Sequence, residues 1–360
     1  MSDSTGLYGF GSLKHGFHTT STGSTVSFYH SNISQSEIEA KGAPVLVLVH
    51  GWPQTSYMWR HLIPMLSDEY PLFVPDVNIP PSSHRIQKST LTVPIQLPGY
   101  GSSTLSTTGN DKLTYSTALI ESLYSVYGPK ITTILIGHDR GARTLHRLCV
   151  SRADFPNLQI LGLILADIIP TYEQFAAFSN PVALTRYFHW GFLPNTALSI
   201  PMIKAFGGAN FCRMIMQSAN TGGANENGIA NLFSHGSLDV YARHFNKAEM
   251  IEGTCRDYEA ASKEDYAAQI EDQKEGRKLD VPTLVLYSEK NLGAMADVPV
   301  VWKRWVKEGT RLETKGIGEG YGHFFLEEAP ELSYEHIIAF CKSLGNQASK
   351  LGKRASEKNE

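Results

Sequence analysis

The chain has no cysteine pair that could begin a disulfide framework or a zinc knuckle: Cys149, Cys212, Cys255 and Cys341 stand far apart and none lies in a CxxC. Unpaired thiols in a reducing compartment are therefore expected. Nor is there a surplus of positive charge. With 32 Lys and Arg against 35 Asp and Glu, the net charge of −3 makes no electrostatic case for nucleic acid or an anionic membrane as partner. No apolar run approaches the roughly 20 residues of a membrane span. The opening MSDSTGLYGF has no basic stretch followed by an apolar one, so no signal peptide is expected. What remains, 42% hydrophobic and 19% charged residues over 360 positions, is ordinary for a soluble globular enzyme, long enough for one large core with a substantial insertion or for two modest domains, and a cytoplasmic location is expected.

Strand-length apolar runs organise what is there. STVSFYH, within residues 7–30, reads as part of an opening hairpin, and the polar, glycine-ended residues 31–42 as a loop. PVLVLVH (44–50) has the continuous apolar character of a strand covered on both faces. After Gly51 and Pro53, Trp59, Leu62, Ile63 and Leu66 recur at helical spacing. PLFVPD (71–76), ITTILI (131–136), LQILGLILAD (158–167), PTLVLYS (282–288) and the segment around Leu312–Ile317 follow, alternating with helix-like stretches. That rhythm predicts an α/β fold with a mostly parallel, doubly wound sheet.

Residues 168–277 break the rhythm, being rich in aromatics and methionine with helical patterns, and read as an inserted helical cap. The core is then 1–167 with 278–346, and the charged tail 347–360 is expected to be disordered. Val77–Gln96 fits nothing. It carries prolines at 80, 81 and 94 and no periodicity, and it would make a very long structureless loop. Removing it joins Asp76 to Leu97 as VPDLPGYGSS. Its 20 codons have the length and the permitted ends of a short retained intron; the other reading is a lineage-specific surface loop.

The chemistry centres on ITTILIGHDRGAR (131–143), a β-branched run ending in Gly-x-Asp-x-Gly before a helix-like segment. This is the pattern of a nucleophile elbow, with Asp139 where a serine often stands. A carboxylate nucleophile attacks carbon and leaves an alkyl ester. Such a hydrolase needs oxyanion donors, and the backbone N–H groups of Trp52 in HGWP and of Arg140 are placed for it. It needs a base, for which His323 in GYGHFFLEEAP stands after the last strand. It needs an acid to orient that base. Asp167 closes the sixth strand and is preferred over Asp297, whose other reading is an N-cap of VPVVWKRW.

HGWPQTSYMWR, GHDRGAR, DIIPTYEQF, YFHW, CRDYEAA and GHFFLEEAPE together resemble the α/β-hydrolase fold family of fluoroacetate (haloacetate) dehalogenases, over residues 8–345 apart from the odd segment. GHDRGAR carries most of the resemblance, since haloalkane dehalogenases and epoxide hydrolases commonly have Trp directly after the nucleophile. The resemblance implies a hydrolase of short 2-halo acids acting through Asp139, His323 and Asp167. Arg140 and Arg143, at i and i+3 on one helix face, would grip the substrate carboxylate. His189, Trp190 and Tyr241 would bind the departing halide. It implies a small-molecule substrate and no metal or organic cofactor, and a homodimer is common in the family. Trp52 is a departure, standing where relatives have Phe. The main alternative is an epoxide hydrolase using the same triad with Tyr172, Tyr187 or Tyr241 as proton donors; a non-catalytic or inactivated relative is the second.

Overall fold

A computed structural model of the chain describes residues 7–76, 106–218 and 223–356, the side chains of 345–356 excepted. The strands are β1 (Leu13–Thr19), β2 (Thr25–Ser31), β3 (Val45–Val49), β4 (Leu72–Asp76), β5 (Ile131–His138), β6 (Leu158–Ala166), β7 (Thr283–Ser288) and β8 (Leu312–Ile317). They form one sheet in the order β1-β2-β4-β3-β5-β6-β7-β8. β2 pairs antiparallel with β1 and β4, and every later pairing is parallel.

The run VLVLV of β3 is buried along its whole length because both faces of the sheet are covered. The two-residue period of a strand divides it between two cores. Val45, Val47 and Val49 join Leu119, Leu123, Leu145 and Leu148 on one side. Leu46 and Leu48 join Trp59, Leu62, Phe340 and aromatics of the 168–277 region on the other. Each buried aliphatic side chain contributes about 1.5–3 kcal/mol, so a charged residue at Val47 would destabilise the sheet at its centre.

The helices before the insertion are α1 (Gln35–Lys41), α2 (Leu62–Ser67), α3 (Lys112–Tyr127) and α4 (Asp139–Val150). α1 lies in the stretch expected to be a loop. Its polarity hides a capping box: the Ser34 hydroxyl accepts from the Glu37 N–H while the Glu37 carboxylate accepts from the Ser34 N–H, and Gly42 closes the helix at φ 59°. Trp59, Leu62, Ile63 and Leu66 are all buried, although a 3-10 turn over Ser56–Trp59 precedes α2. Val77–Gln96 lies outside the described residues.

Between β6 and β7 the chain passes through α5 (Thr171–Ala177), α6 (Pro181–Arg186), α7 (His189–Phe192), α8 (Thr196–Phe206), α9 (Gly208–Met216), α10 (Glu226–Phe233), α11 (Ser237–Phe245), α12 (Ala248–Ala260) and α13 (Tyr266–Lys274), with no strand among the described residues. Polar bonds tie this cap to the sheet layer. Arg60 donates to the carbonyls of Asn231 and Leu232 at 2.9 and 3.0 Å, and the Tyr57 hydroxyl donates to that of His235 at 3.1 Å.

α14 (Val298–Trp305), α15 (Phe325–Glu328) and α16 (Pro330–Ser356) complete the core. α16 continues past residue 347, where disorder is expected from the sequence. The segment QASKLGKRAS is poor in apolar residues yet rich in Ala, Lys, Arg and Leu, which favour helix on their own. No helix among the described residues is long and apolar enough to cross a membrane.

Candidate active site

β5 ends at His138 and α4 begins at Asp139, whose φ of 44° lies in the left-handed region that a carboxylate side chain seldom adopts. Two neighbouring glycines make this turn feasible. A Cβ on Gly141 would lie 2.4 Å from the carbonyl oxygens of Val49 and His50, and one on Gly137 would lie 2.7 Å from the backbone of Ala142. The strained turn presents Asp139 to the end of β3, where the Trp52 N–H donates to Asp139 Oδ2 at 3.0 Å. Burial alone would push the Asp139 carboxyl up. Electrostatic coupling to His323 and His138, and to the Arg143 and Arg140 guanidiniums, which stay charged at neutral pH, outweighs burial and holds its pKa at about 2.

Asp167, one residue past β6 and also at positive φ (53°), accepts from His323 Nδ1 at 2.6 Å. It is oriented by the Ser288 N–H at 2.8 Å and by Asn291 Nδ2 at 3.1 Å. An ionised carboxylate is acceptor only, so His323 carries its proton on Nδ1 and Nε2 keeps its lone pair. Burial lowers the His323 pKa, but the hydrogen bond and charge of Asp167 raise it more, and the net shift is upward. Asp297 takes no part here; it caps α14 by accepting from the Val300 N–H at 3.1 Å. His138, which has no role in the sequence reading, donates from Nε2 to the carbonyl of His323 at 2.8 Å and ties the elbow to the histidine loop. Burial drives its pKa down to about 3, so it stays neutral.

Arg140 and Arg143 do share one face of α4, yet they are not equivalent. Arg140 donates from Nε to Asp257 Oδ2 at 2.5 Å and from Nη2 to the Asp257 carbonyl at 2.9 Å. Arg143 meets neutral acceptors: the Ile169 carbonyl at 2.8 Å, Thr171 Oγ1 at 3.2 Å and Gln174 Oε1 at 3.5 Å. Each guanidinium keeps one buried nitrogen without a partner among the described residues, Nη1 of Arg140 and Nε of Arg143. Both lie over the Trp190 ring, at 5.5 and 4.5 Å from its centroid. Burial, and then repulsion from Arg140, lowers the Arg143 pKa to about 10, which leaves it cationic at neutral pH.

The deciding resemblance is then one of whole-chain architecture: a sheet with its second strand antiparallel, an Asp elbow after β5, and a histidine after β8 bonded to an acid after β6. The profile of the alpha/beta hydrolase family matches residues 46–335. The chain belongs to that family. Fluoroacetate dehalogenase of Burkholderia sp. is 27% identical over 295 residues, covering 80% of this chain and 84% of the relative. Soluble epoxide hydrolase of Corynebacterium sp. (strain C12) is 26% identical over 303 residues, covering 83% and 90%. Among solved structures, ALR0039 from Nostoc sp. PCC 7120 superposes with a TM-score of 0.71 at 26% identity, covering 92% of this chain and 98% of that one. Epoxide hydrolase CorEH superposes with a TM-score of 0.72 at 21% identity, covering 92% and 99%, and shows the shared fold.

In this alpha/beta hydrolase the elbow opens onto a partly open cavity, lined among others by Trp52, Asp139, Arg143, Tyr187, His189 and His323. Trp190, Asp167 and Asn291 also reach it. Trp52 stacks on His189 with centroids 5.2 Å apart. Tyr241 does not belong to this wall. Its hydroxyl donates to Glu327 Oε1 at 2.7 Å and accepts from Arg60 at 3.4 Å, because α11 turns that side chain towards α15. Tyr258 of α12 packs against the wall residues instead, its ring centroid 5.5 Å from that of Trp52, 5.7 Å from His189 and 5.4 Å from Trp190. The segment CRDYEAA, already part of the resemblance, contains it. Of the tyrosines weighed as epoxide donors, Tyr187 lines the cavity, whereas Tyr172 stacks on Tyr266 at 5.6 Å. Among the described residues no group of three or more His, Cys, Asp or Glu side chains is arranged to hold a metal ion.

Proposed function

We propose that the protein hydrolyses the carbon–halogen bond of short 2-halo acids. The observation that carries this reading is Arg143 in the cavity wall, with Arg140 on the same helix face; Arg143 Nε and Arg140 Nη1, four residues and one after Asp139, are buried without a partner among the described residues. A carboxylate has two oxygens for those two donors, and charge-assisted bonds of this kind are strong and directional. The carbon bonded to that carboxylate then sits beside Asp139, so the acid group aligns the bond to be broken. The likeness to the Burkholderia fluoroacetate dehalogenase supports the same reading.

In the proposed sequence, Asp139 Oδ2 is held by the Trp52 N–H and Oδ1 attacks the α-carbon in line with the halide, which leaves with the bonding pair. The product is an aspartyl ester. In this reading the N–H donors of buried His189 and Trp190 and the Tyr258 phenol solvate the halide. Water then gives a proton to His323 Nε2 as its oxygen attacks the ester carbonyl. The Trp52 and Arg140 N–H groups hold the tetrahedral oxyanion. Collapse expels the 2-hydroxy acid, which takes the proton from His323, and the regenerated Asp139 ionises. One halide and one proton are released per turnover.

Epoxide hydrolysis by the same aspartate is the second reading, favoured by Tyr187 in the cavity wall and by the Corynebacterium relative. Purified protein incubated with fluoroacetate, chloroacetate and styrene oxide decides between them. Halide release from the acids is the expected result; diol without halide replaces the leading reading with the second, and neither product supports a non-catalytic relative.

A further inference from the structure

Arg140 is anchored from behind by a chain of buried charges that crosses from core to cap. Asp257 of α12 takes Arg140 Nε on one carboxylate oxygen and Lys112 Nζ, from the first turn of α3, on the other, each at 2.5 Å. Its backbone carbonyl takes Arg140 Nη2 at 2.9 Å. All three side chains are buried, at 2% exposure or less. The lysine is fixed in turn: its own N–H donates to Asp265 Oδ1 at 2.8 Å, and its ammonium lies 4.8 Å from the centroid of the Tyr115 ring. The guanidinium of Arg140 lies 4.3 Å from the ring centroid of Tyr258, the residue after Asp257.

Two cations converging on one carboxylate in a dry interior make a poor stability device, because well-packed apolar residues would avoid the desolvation cost. The arrangement does have a geometric effect. With Nε and Nη2 both engaged, the guanidinium plane cannot rotate, and the nitrogen left over is Nη1. We propose that Asp257 and Lys112 are positioning residues that aim Arg140 Nη1 at the substrate carboxylate, so that the acid-binding site is complete only when the cap helix α12 is docked against α3 and α4. This rests on the carboxylate reading given above. Arg143, held by neutral groups at the start of the cap, supplies the attracting charge; Arg140, held by the Asp257 carboxylate of α12, supplies direction.

The sign of one substitution separates this role from plain electrostatics. Asp257→Asn removes a negative charge beside Arg140 and Lys112, which by charge alone tightens anion binding. Loss of aim weakens it. Glycolate, the hydroxy acid that fluoroacetate would yield, is titrated into the full-length protein while the fluorescence of the cavity residues Trp52 and Trp190 is followed. Wild type binds glycolate; Asp257→Asn raises the Kd by about tenfold or more, Lys112→Met raises it less, and Lys112→Arg restores it. With chloroacetate, KM rises by a larger factor than kcat falls. A Kd unchanged or lowered in natively folded Asp257→Asn overturns the proposal, and if that variant does not fold, Lys112→Met decides by the same criterion. A wild type that does not bind glycolate overturns the carboxylate reading itself, and this proposal with it.

Discussion

The backbone N–H of Trp52 donates to Oδ2 of Asp139 across 3.0 Å, joining the loop after β3 to the elbow after β5. One carboxylate oxygen is thereby oriented and the other left to the cavity. The bonded oxygen is the one that would become the ester carbonyl, so the donor that orients the ground state is already in place for the oxyanion. Preorganised donors of this kind act without reorganisation during the reaction.

The ester is directly observable. A single turnover of chloroacetate, with enzyme in excess, in water enriched in the heavy oxygen isotope should give glycolate with ordinary oxygen and place the heavy isotope in the Asp139 carboxylate. Heavy glycolate on that first turnover points to direct attack by water. Asp139→Ala should be inactive, and Asp139→Asn should regain activity slowly as the amide hydrolyses, with intact mass returning to the wild-type value.

pH dependence follows from the Asp167–His323 pair. His323 must be neutral to accept a proton, and its pKa is raised above the ordinary imidazole value. Activity should therefore climb with pH through a limb lying above that value, while Asp139, at about 2, stays ionised throughout. Asp167→Asn removes the raising contribution and should move the limb to lower pH while reducing kcat. Rates measured from pH 5 to 10 check both, and a limb that does not move removes Asp167 from the role.

Arg143→Met should raise KM for chloroacetate by about tenfold to a hundredfold, since hydrogen bonds to charged groups contribute about 1.5–3 kcal/mol. Any epoxide turnover should change little. Equal losses on both substrate classes would mean the arginine supports the fold rather than the acid.

Tyr241→Phe and Tyr258→Phe should behave oppositely. The first removes a hydrogen bond to buried Glu327 and should lower stability by about 1–2 kcal/mol, read from denaturant unfolding, with halide release intact. The second should slow halide release with little effect on unfolding.

Gly141→Ala should destabilise by about 1–3 kcal/mol or more, because its Cβ would meet two backbone carbonyls that cannot swing aside. A melting temperature equal to wild type would show that the β3 and β5 turns can separate.

Much of this was legible in order along the chain. The glycines flanking Asp139, the apolar run of β3 and the acid closing β6 announce themselves because backbone conformation and burial leave a local imprint at fixed spacing. α1 was legible too, in its Ser34–Glu37 capping box, but a polar surface masked it. Other features leave no such trace. Nothing local distinguishes Tyr258 from Tyr241, two tyrosines on neighbouring cap helices; which one meets Trp52 depends on how α11 and α12 pack. His138 reaching the His323 carbonyl, and Lys112 and Arg140 meeting on Asp257, join residues more than 25 positions apart on separate elements. The sequence alone determined the sheet and the elbow with a carboxylate at its centre, which are set by short-range periodicity and backbone geometry. Only the tertiary structure decided that the two arginines have different partners, Asp257 for one and neutral acceptors for the other, because those acceptors come from distant parts of the chain.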